Sequence, residues 1–379
     1  MRLRILLFFV LVFTAFISVE AQSAFREQAA AIAASLDDHA LAAQVLLTGI
    51  EGRTSLSPAM RYLLSRIPAG GVMFFRGNLN TPKEDVRQLL SETAALVTGR
   101  TGIPPFMAVD HEGGLVHRFG PGVERLPSAY SFWELAQEEG KDAALALAET
   151  LYRRSAREIR DLGITMVLAP VVEPINDDNR LFLTTRSFGS DPAFVQAIAS
   201  VFIESMDAVG IASVLKHFPG NTSADPHYDD AMLMASRELL DEMVMPFTGI
   251  IRDLSPASVM LSHVAVPAVD DRNASLSRIV IEDWLRGELG FEGIAMADDF
   301  AMAAVAARGI SAADATVKAL NAGMDMVMTW PLYITAVHGA ILDALAAGRL
   351  PRQRLLEAAE RIIAEKIRFG LITPSGGQR

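Results

Sequence analysis

Ala212-Ser213-Val214-Leu215-Lys216-His217 starts as a small apolar run and stops abruptly at two titratable side chains. A short, nearly continuous apolar segment of this kind fits a strand buried on both faces, as in a parallel sheet. Seven more runs share its form: 44–50, 70–75, 105–110, 165–172, 258–264, 293–299 and 325–330. Between them apolar residues recur at helical spacing after Thr81, from about Ser131 to Asp161, and around 192–208, 236–253, 277–289, 311–322 and 332–348. Strands alternating with helices predict an α/β protein with a parallel sheet. Eight such units fit within 305 residues (348 − 44 + 1). That count predicts a (β/α)8 TIM-type barrel in a single domain. A doubly wound open sheet is the competing architecture. It usually carries a glycine-rich phosphate loop after its first strand, and Gly49-Ile50-Glu51-Gly52 continues into no G-x-G-x-x-G pattern. The segment after Pro351 predicts a last amphipathic helix on the outside of the barrel.

Outside these units the chain is informative at its start. Met1-Arg2-Leu3-Arg4 is basic, Ile5 to Val19 is almost wholly apolar, and Val19-Glu20-Ala21 offers small residues for cleavage. This layout predicts a signal peptide over 1–21, a barrel domain over 22–379, and an exported protein, periplasmic or secreted. The apolar run is shorter than the roughly 20 residues of a spanning helix, so no membrane span is expected after cleavage. The chain has no cysteine, which excludes disulfides, thiolate chemistry and a lipid-modified cysteine. A formal net charge of −11 argues against nucleic acid as a partner. A monomer without a cofactor is expected.

The barrel reading makes a demand on the polar residues, because active sites of such barrels lie at the C-terminal ends of the strands. The third run ends in Asp110-His111-Glu112, the fourth at Glu173, the fifth in Lys216-His217, the sixth carries Ser262-His263, the seventh ends in Asp298-Asp299 and the eighth in Trp330. The N-terminal ends read as small and bland. Carboxylates, a lysine, arginines and aromatics on one rim suit a polyhydroxylated substrate, and glycoside cleavage needs groups on both faces of the sugar. Single residues keep other readings open. Asp298 suits a helix cap, His227 a solvated loop histidine, Arg186 an ion pair with Asp191, and His263 a support for the rim. Asp299, if on a strand, points away from its neighbour. Histidines and aspartates are also metal ligands, but no His-x-His pair follows the first run, so no metal is expected. A sugar-binding barrel without catalysis is the remaining alternative.

Five motifs in order narrow this choice. Val109-Asp110-His111-Glu112-Gly113-Gly114 with Arg118-Phe119, Arg186-Ser187-Phe188-Gly189, Lys216-His217-Phe218-Pro219-Gly220, Asp225-Pro226-His227 and Ala297-Asp298-Asp299-Phe300-Ala301-Met302 together resemble glycoside hydrolase family 3. The likeness is to its single-domain, NagZ-like β-N-acetylglucosaminidases and runs from about residue 44 to 345. It implies a hydrolase of terminal β-linked N-acetylglucosamine or a related sugar, with a carbohydrate substrate such as a cell-wall fragment. It further implies Asp298 as nucleophile and His227 with Asp225 as the acid/base pair. Asp110, Arg118, Arg186, Lys216 and His217 match positions that hold the sugar. The match departs at Asn221-Thr222, where relatives have His-Gly, at Leu115, at Glu173 in place of Asp, and in the 11-position step (227 − 216) from Lys216 to His227. These departures lie on the rim, so the resemblance does not fix the aglycone preference.

Overall fold

A computed structural model describes residues 24–224, 231–300 and 309–374. Eight parallel strands close into a barrel: β1 (Leu46–Gly49), β2 (Gly71–Phe74), β3 (Phe106–Val109), β4 (Met166–Val167), β5 (Ala212–Phe218), β6 (Ser258–Leu261), β9 (Ile294–Ala297) and β10 (Met326–Thr329). Every residue of these strands is buried, because helices cover the outside and side chains fill the inside. A small antiparallel hairpin, β7 (Ala265–Val266) and β8 (Asp270–Asn273), is inserted after β6. All eight expected runs are therefore strands, and the expected barrel is found.

Boundaries differ where local chemistry intervenes. β4 is only two residues long, because the chain then carries extra residues: the Ala212 N–H bonds to the Thr165 carbonyl and the Val214 N–H to the Ala169 carbonyl, four positions of one strand against two of the other. The chain nonetheless stays beside β5 through the Val171–Lys216 bridge and the Val172 N–H to Lys216 C=O bond of 2.9 Å. The helix expected over 131–161 is two helices, Ala129–Glu138 and Lys141–Leu162, separated at Gly140, whose φ of 98° suits glycine. The segment expected around 277–289 is wound as a π-helix, Ile279–Glu288, with the Leu289 N–H bonded to the Trp284 carbonyl. The last helix, Arg352–Arg368, packs on the barrel's outside as expected, with Leu355, Ala358, Ile362 and Ile363 facing inward.

The N-terminal end of the barrel is less bland than the sequence suggests. Asp325 precedes β10, is fully buried, and accepts from Arg286 Nη2 at 2.5 Å, Arg354 Nη2 at 2.6 Å, Arg361 Nη1 at 3.0 Å and the Ala295 N–H at 2.9 Å. Burial alone would raise its carboxyl, but the three guanidinium groups outweigh burial and hold it below the ordinary value. Nearby, Lys366 is fully buried with no hydrogen-bond partner for Nζ among the described residues, and lies 5.5 Å over the Phe106 ring. Burial drives its pKa well below that of an ordinary lysine. The unfolded chain then holds a proton that the folded chain lacks, so stability rises with pH up to the ordinary lysine value of about 10.4. Lys366→Met is expected to raise the unfolding midpoint and to flatten this rise. Thermal unfolding of both proteins from pH 7 to 10 measures it; parallel pH profiles refute it.

Candidate active site

The C-terminal ends of the strands surround a cavity of about 340 Å3. One wall is a lattice of charges. Asp110 follows β3, and the Gly113-Gly114 turn, with φ of 89° and 52°, swings the chain back so that Arg118 Nη2 lies 3.3 Å from Asp110 Oδ2. A Cβ at Gly113 would meet the Pro127 carbonyl at 2.2 Å, so this turn requires glycine. Lys216, inside β5, reaches Asp110 Oδ1 at 3.1 Å and Glu112 Oε1 at 2.6 Å. Arg186 grips Glu112 with both arms, Nε to Oε2 at 2.8 Å and Nη2 to Oε1 at 2.9 Å. Such bidentate geometry fixes the guanidinium plane. Three cations against two carboxylates leave this wall with a net charge of +1 (3 − 2).

Electrostatics follow from these contacts. Burial would raise the Glu112 carboxyl, but Lys216 and Arg186 push it well below the usual range. Burial would lower the Lys216 ammonium, yet Glu112 and Asp110 raise it, so it stays charged. Arg186 is likewise raised by Glu112 against the effect of burial.

The floor is formed where β9 ends. Asp298 and Asp299 lie beyond the strand, whose last residue is Ala297, so alternation no longer separates them and both line the cavity. The expectation that Asp299 points away is thus corrected. Asp298 Oδ1 accepts the Asp299 N–H at 2.8 Å, its one hydrogen bond among the described residues. Burial would raise the Asp298 carboxyl. The His263 and His217 rings, the Asp299 N–H and the Lys216 ammonium outweigh that and hold it below the ordinary value. It therefore faces the cavity as a carboxylate at neutral pH. Asp299 accepts from the Trp330 indole N–H. His263 donates through Nε2 to the Asp299 carbonyl at 3.1 Å and lies 2.8 Å from Ser275 Oγ through Nδ1, a rim support that also lines the cavity.

Phe75 and Trp330 stack with centroids 4.7 Å apart and supply an aromatic side to the cavity. They lie over Gly49, where a Cβ would come within 3.2 Å of Phe75 and 3.3 Å of Trp330. On the far side, His217 donates from Nδ1 to Glu173 Oε1 at 2.7 Å, and Phe182 packs against its ring.

The structure thus gathers Asp110, Arg118, Arg186, Lys216, His217 and Asp298 at one cavity. Asp225 and His227 lie outside the described residues. The alternative partner of Arg186 is excluded, because Asp191 binds Lys141 at 2.6 Å. His111 is core instead of site. It is fully buried, bonded to Ser155 at 2.7 Å, and pushed down to about 3 by burial and by His117. Glu112 has no expected role in the sequence, because it lies three residues past the end of β3, where strand parity no longer places a side chain. The sequence also gives no partner to Glu173, which no spacing rule connects to His217.

The description "Glycosyl hydrolase family 3 N terminal domain" fits residues 42–364. A beta-hexosaminidase of Stenotrophomonas maltophilia is 36% identical over 288 residues, which are 75% of this chain and 82% of that protein. A beta-hexosaminidase of Chromobacterium violaceum is 36% identical over 316 residues, 81% of this chain and 84% of that one. Among solved structures, a glycoside hydrolase family 3 beta-N-acetylglucosaminidase from a Paenibacillus species superposes with a TM-score of 0.82 at 28% identity. The match covers 91% of this chain and 66% of that one. A beta-N-acetylhexosaminidase from Beutenbergia cavernae superposes with a TM-score of 0.78 at 26% identity, covering 88% and 99%.

Proposed function

This chain belongs to glycosyl hydrolase family 3 and is a glycoside hydrolase of the beta-hexosaminidase kind, and from that premise we propose that it releases terminal β-linked N-acetylglucosamine, or a related β-sugar, with retention of configuration. The observation that carries the proposal is Asp298: a carboxylate held ionised on the floor of a sugar-sized cavity, with one hydrogen bond among the described residues. A cavity of about 340 Å3 lies at the small end of ligand sites, which span roughly 300–1,000 Å3.

In the first step Asp298 attacks the anomeric carbon. The bond to the aglycone oxygen breaks, and that oxygen takes a proton from His227, oriented by Asp225. In the second step His227 takes a proton from water, the water oxygen bonds to the anomeric carbon, and the Asp298 ester is released. Two displacements at one carbon restore its configuration. Asp110, Arg118, Arg186, Lys216 and His217 hold the hydroxyl groups, and the Phe75–Trp330 stack offers an aromatic face to the ring. The N-terminal segment 1–21 acts as a signal peptide, the enzyme works as a monomer outside the cytoplasm, and its substrates are cell-wall or glycan fragments. The test is trapping with a 2-fluoro β-glycoside followed by mass spectrometry of the digested protein. The label is expected on Asp298; a label on any other residue overturns the assignment.

A further inference from the structure

The carboxylate of Glu173 has no role in the mechanism above, yet it is among the most thoroughly enclosed polar groups of the molecule. Its side chain is 1% exposed. One oxygen, Oε1, accepts three hydrogen bonds: the His217 backbone N–H at 3.1 Å, His217 Nδ1–H at 2.7 Å and Asn221 Nδ2–H at 3.0 Å. The other, Oε2, is buried without a partner among the described residues. A buried carboxylate oxygen left unpaired is costly, so the arrangement does not optimise stability. It concentrates every contact on the oxygen that faces His217.

The backbone fixes this approach. Glu173 follows the stretch in which the Val171–Lys216 bridge and the Val172–Lys216 bond keep the end of β4 beside β5. Its side chain therefore arrives beneath His217 from the neighbouring strand. His217 Nε2, by contrast, makes no hydrogen bond among the described residues and is not enclosed, while the residue lines the Asp298 cavity. A ring whose Nδ1–H is committed to a carboxylate has its tautomer and its plane fixed, and presents Nε2 in one direction. Asn221, 1% exposed, extends the same cradle to the point where the chain leaves β5.

We infer that Glu173 is a positioning residue of this enzyme, one that turns His217 so that Nε2 meets a single hydroxyl of the sugar seated over Asp298, with Asn221 locking the carboxylate in place. The inference rests on the reading of that cavity as a glycosidase site. A hydroxyl both donates and accepts, so it can pair with a ring nitrogen held in one direction. Glu173 touches no substrate; it acts only through the ring.

The test is a cycle between enzyme and substrate. The kcat/KM values of the full chain, Glu173→Gln, His217→Phe and Asn221→Ala are measured on an aryl β-N-acetylglucosaminide and on its 4- and 6-deoxy analogues. In the wild type one of these deletions is expected to cost roughly 10- to 100-fold, the range of a hydrogen bond to a well-held polar group. In Glu173→Gln and His217→Phe the same deletion is expected to cost less than about threefold, because the ring no longer discriminates. A deletion penalty that persists undiminished in folded Glu173→Gln makes Glu173 merely structural and overturns the inference, as does the absence of any such penalty in the wild type. Should Glu173→Gln not fold, Asn221→Ala, which removes one donor of three, is held to the same criterion with a partial loss expected. A wild type that cleaves no β-N-acetylhexosaminide but binds free N-acetylglucosamine overturns the glycosidase reading alone. The same cycle run on binding then decides Glu173, and absence of both cleavage and binding overturns both.

Discussion

Asp298→Ala is expected to lower kcat/KM on an aryl β-N-acetylglucosaminide by on the order of 10^4-fold or more, since removing a covalent nucleophile abolishes its route and leaves only binding and polar stabilisation. The protein itself is expected to fold normally. Only the Asp299 N–H donates to this side chain among the described residues, so little structure depends on it. The depressed carboxyl does contribute some stability at neutral pH, and the variant loses that contribution together with the bond. Asp298→Asn keeps the shape and an acceptor for that N–H, and is expected to be equally inactive. Added azide is expected to restore part of the rate in Asp298→Ala by entering the vacated space and attacking from the same face, giving a glycosyl azide of inverted configuration. Steady-state rates with and without azide, alongside thermal unfolding, measure this. A variant retaining a tenth of the wild-type rate would remove Asp298 from the mechanism. The depressed Asp298 carboxyl also places the acid limb of kcat/KM due to this group below the ordinary aspartate value of 3.8.

Glu112→Ala is the second large effect, and it strikes stability and activity together. The substitution deletes both arms of the Arg186 pair and the 2.6 Å contact with Lys216. It leaves Lys216, whose side chain is 4% exposed, with only the Asp110 carboxylate, at 3.1 Å, among the described residues. Removing one partner of a buried ion pair costs about 3–5 kcal/mol, because the remaining charge stays buried and less well compensated. A fall of the urea midpoint is expected, together with a loss of roughly 10²-fold in kcat/KM as two sugar-holding cations lose their fixed positions. The pH dependence supplies a separate sign. The folded pKa of Glu112 lies below its ordinary value of 4.5, so its contribution is present above that value and is lost as pH falls through the folded value. The variant is therefore expected to lose less stability than the wild type on acidification below about pH 4.5. Urea titrations at pH 7 and pH 4 decide it; an unchanged midpoint at pH 7 refutes the ion-pair account.

The barrel was legible because its signals are local and repeated. Eight apolar runs at regular spacing survive any single ambiguous boundary, and the polar residues that end them mark the rim without knowledge of contacts. Partner choice was not legible. Arg186 lies five positions from Asp191 but binds Glu112, 74 positions away, because the parallel pairing of β3 with β4 brings the loops that follow them together. His217 and Glu173 meet through the pairing of neighbouring strands, a relation that appears only once register is known. Asp299 departs from its expected direction because strand alternation does not extend to a residue two positions past the strand's end. The buried charges at the opposite end of the barrel were missed for a similar reason. Asp325 stands alone in the sequence, and its three arginines come from two separate segments.

That cluster bears on the order in which the molecule can be completed. β10 is the strand that bonds to both β9 and β1, so it is the seam at which the cylinder shuts. The carboxylate at the foot of this seam is neutralised by Arg286 and, from beyond residue 350, by Arg354 and Arg361. A nascent chain that has made all eight strands but not the last helix must bury Asp325 with only one of its three guanidinium partners. The full charge compensation of the seam is thus present only when the final stretch of polypeptide is in place.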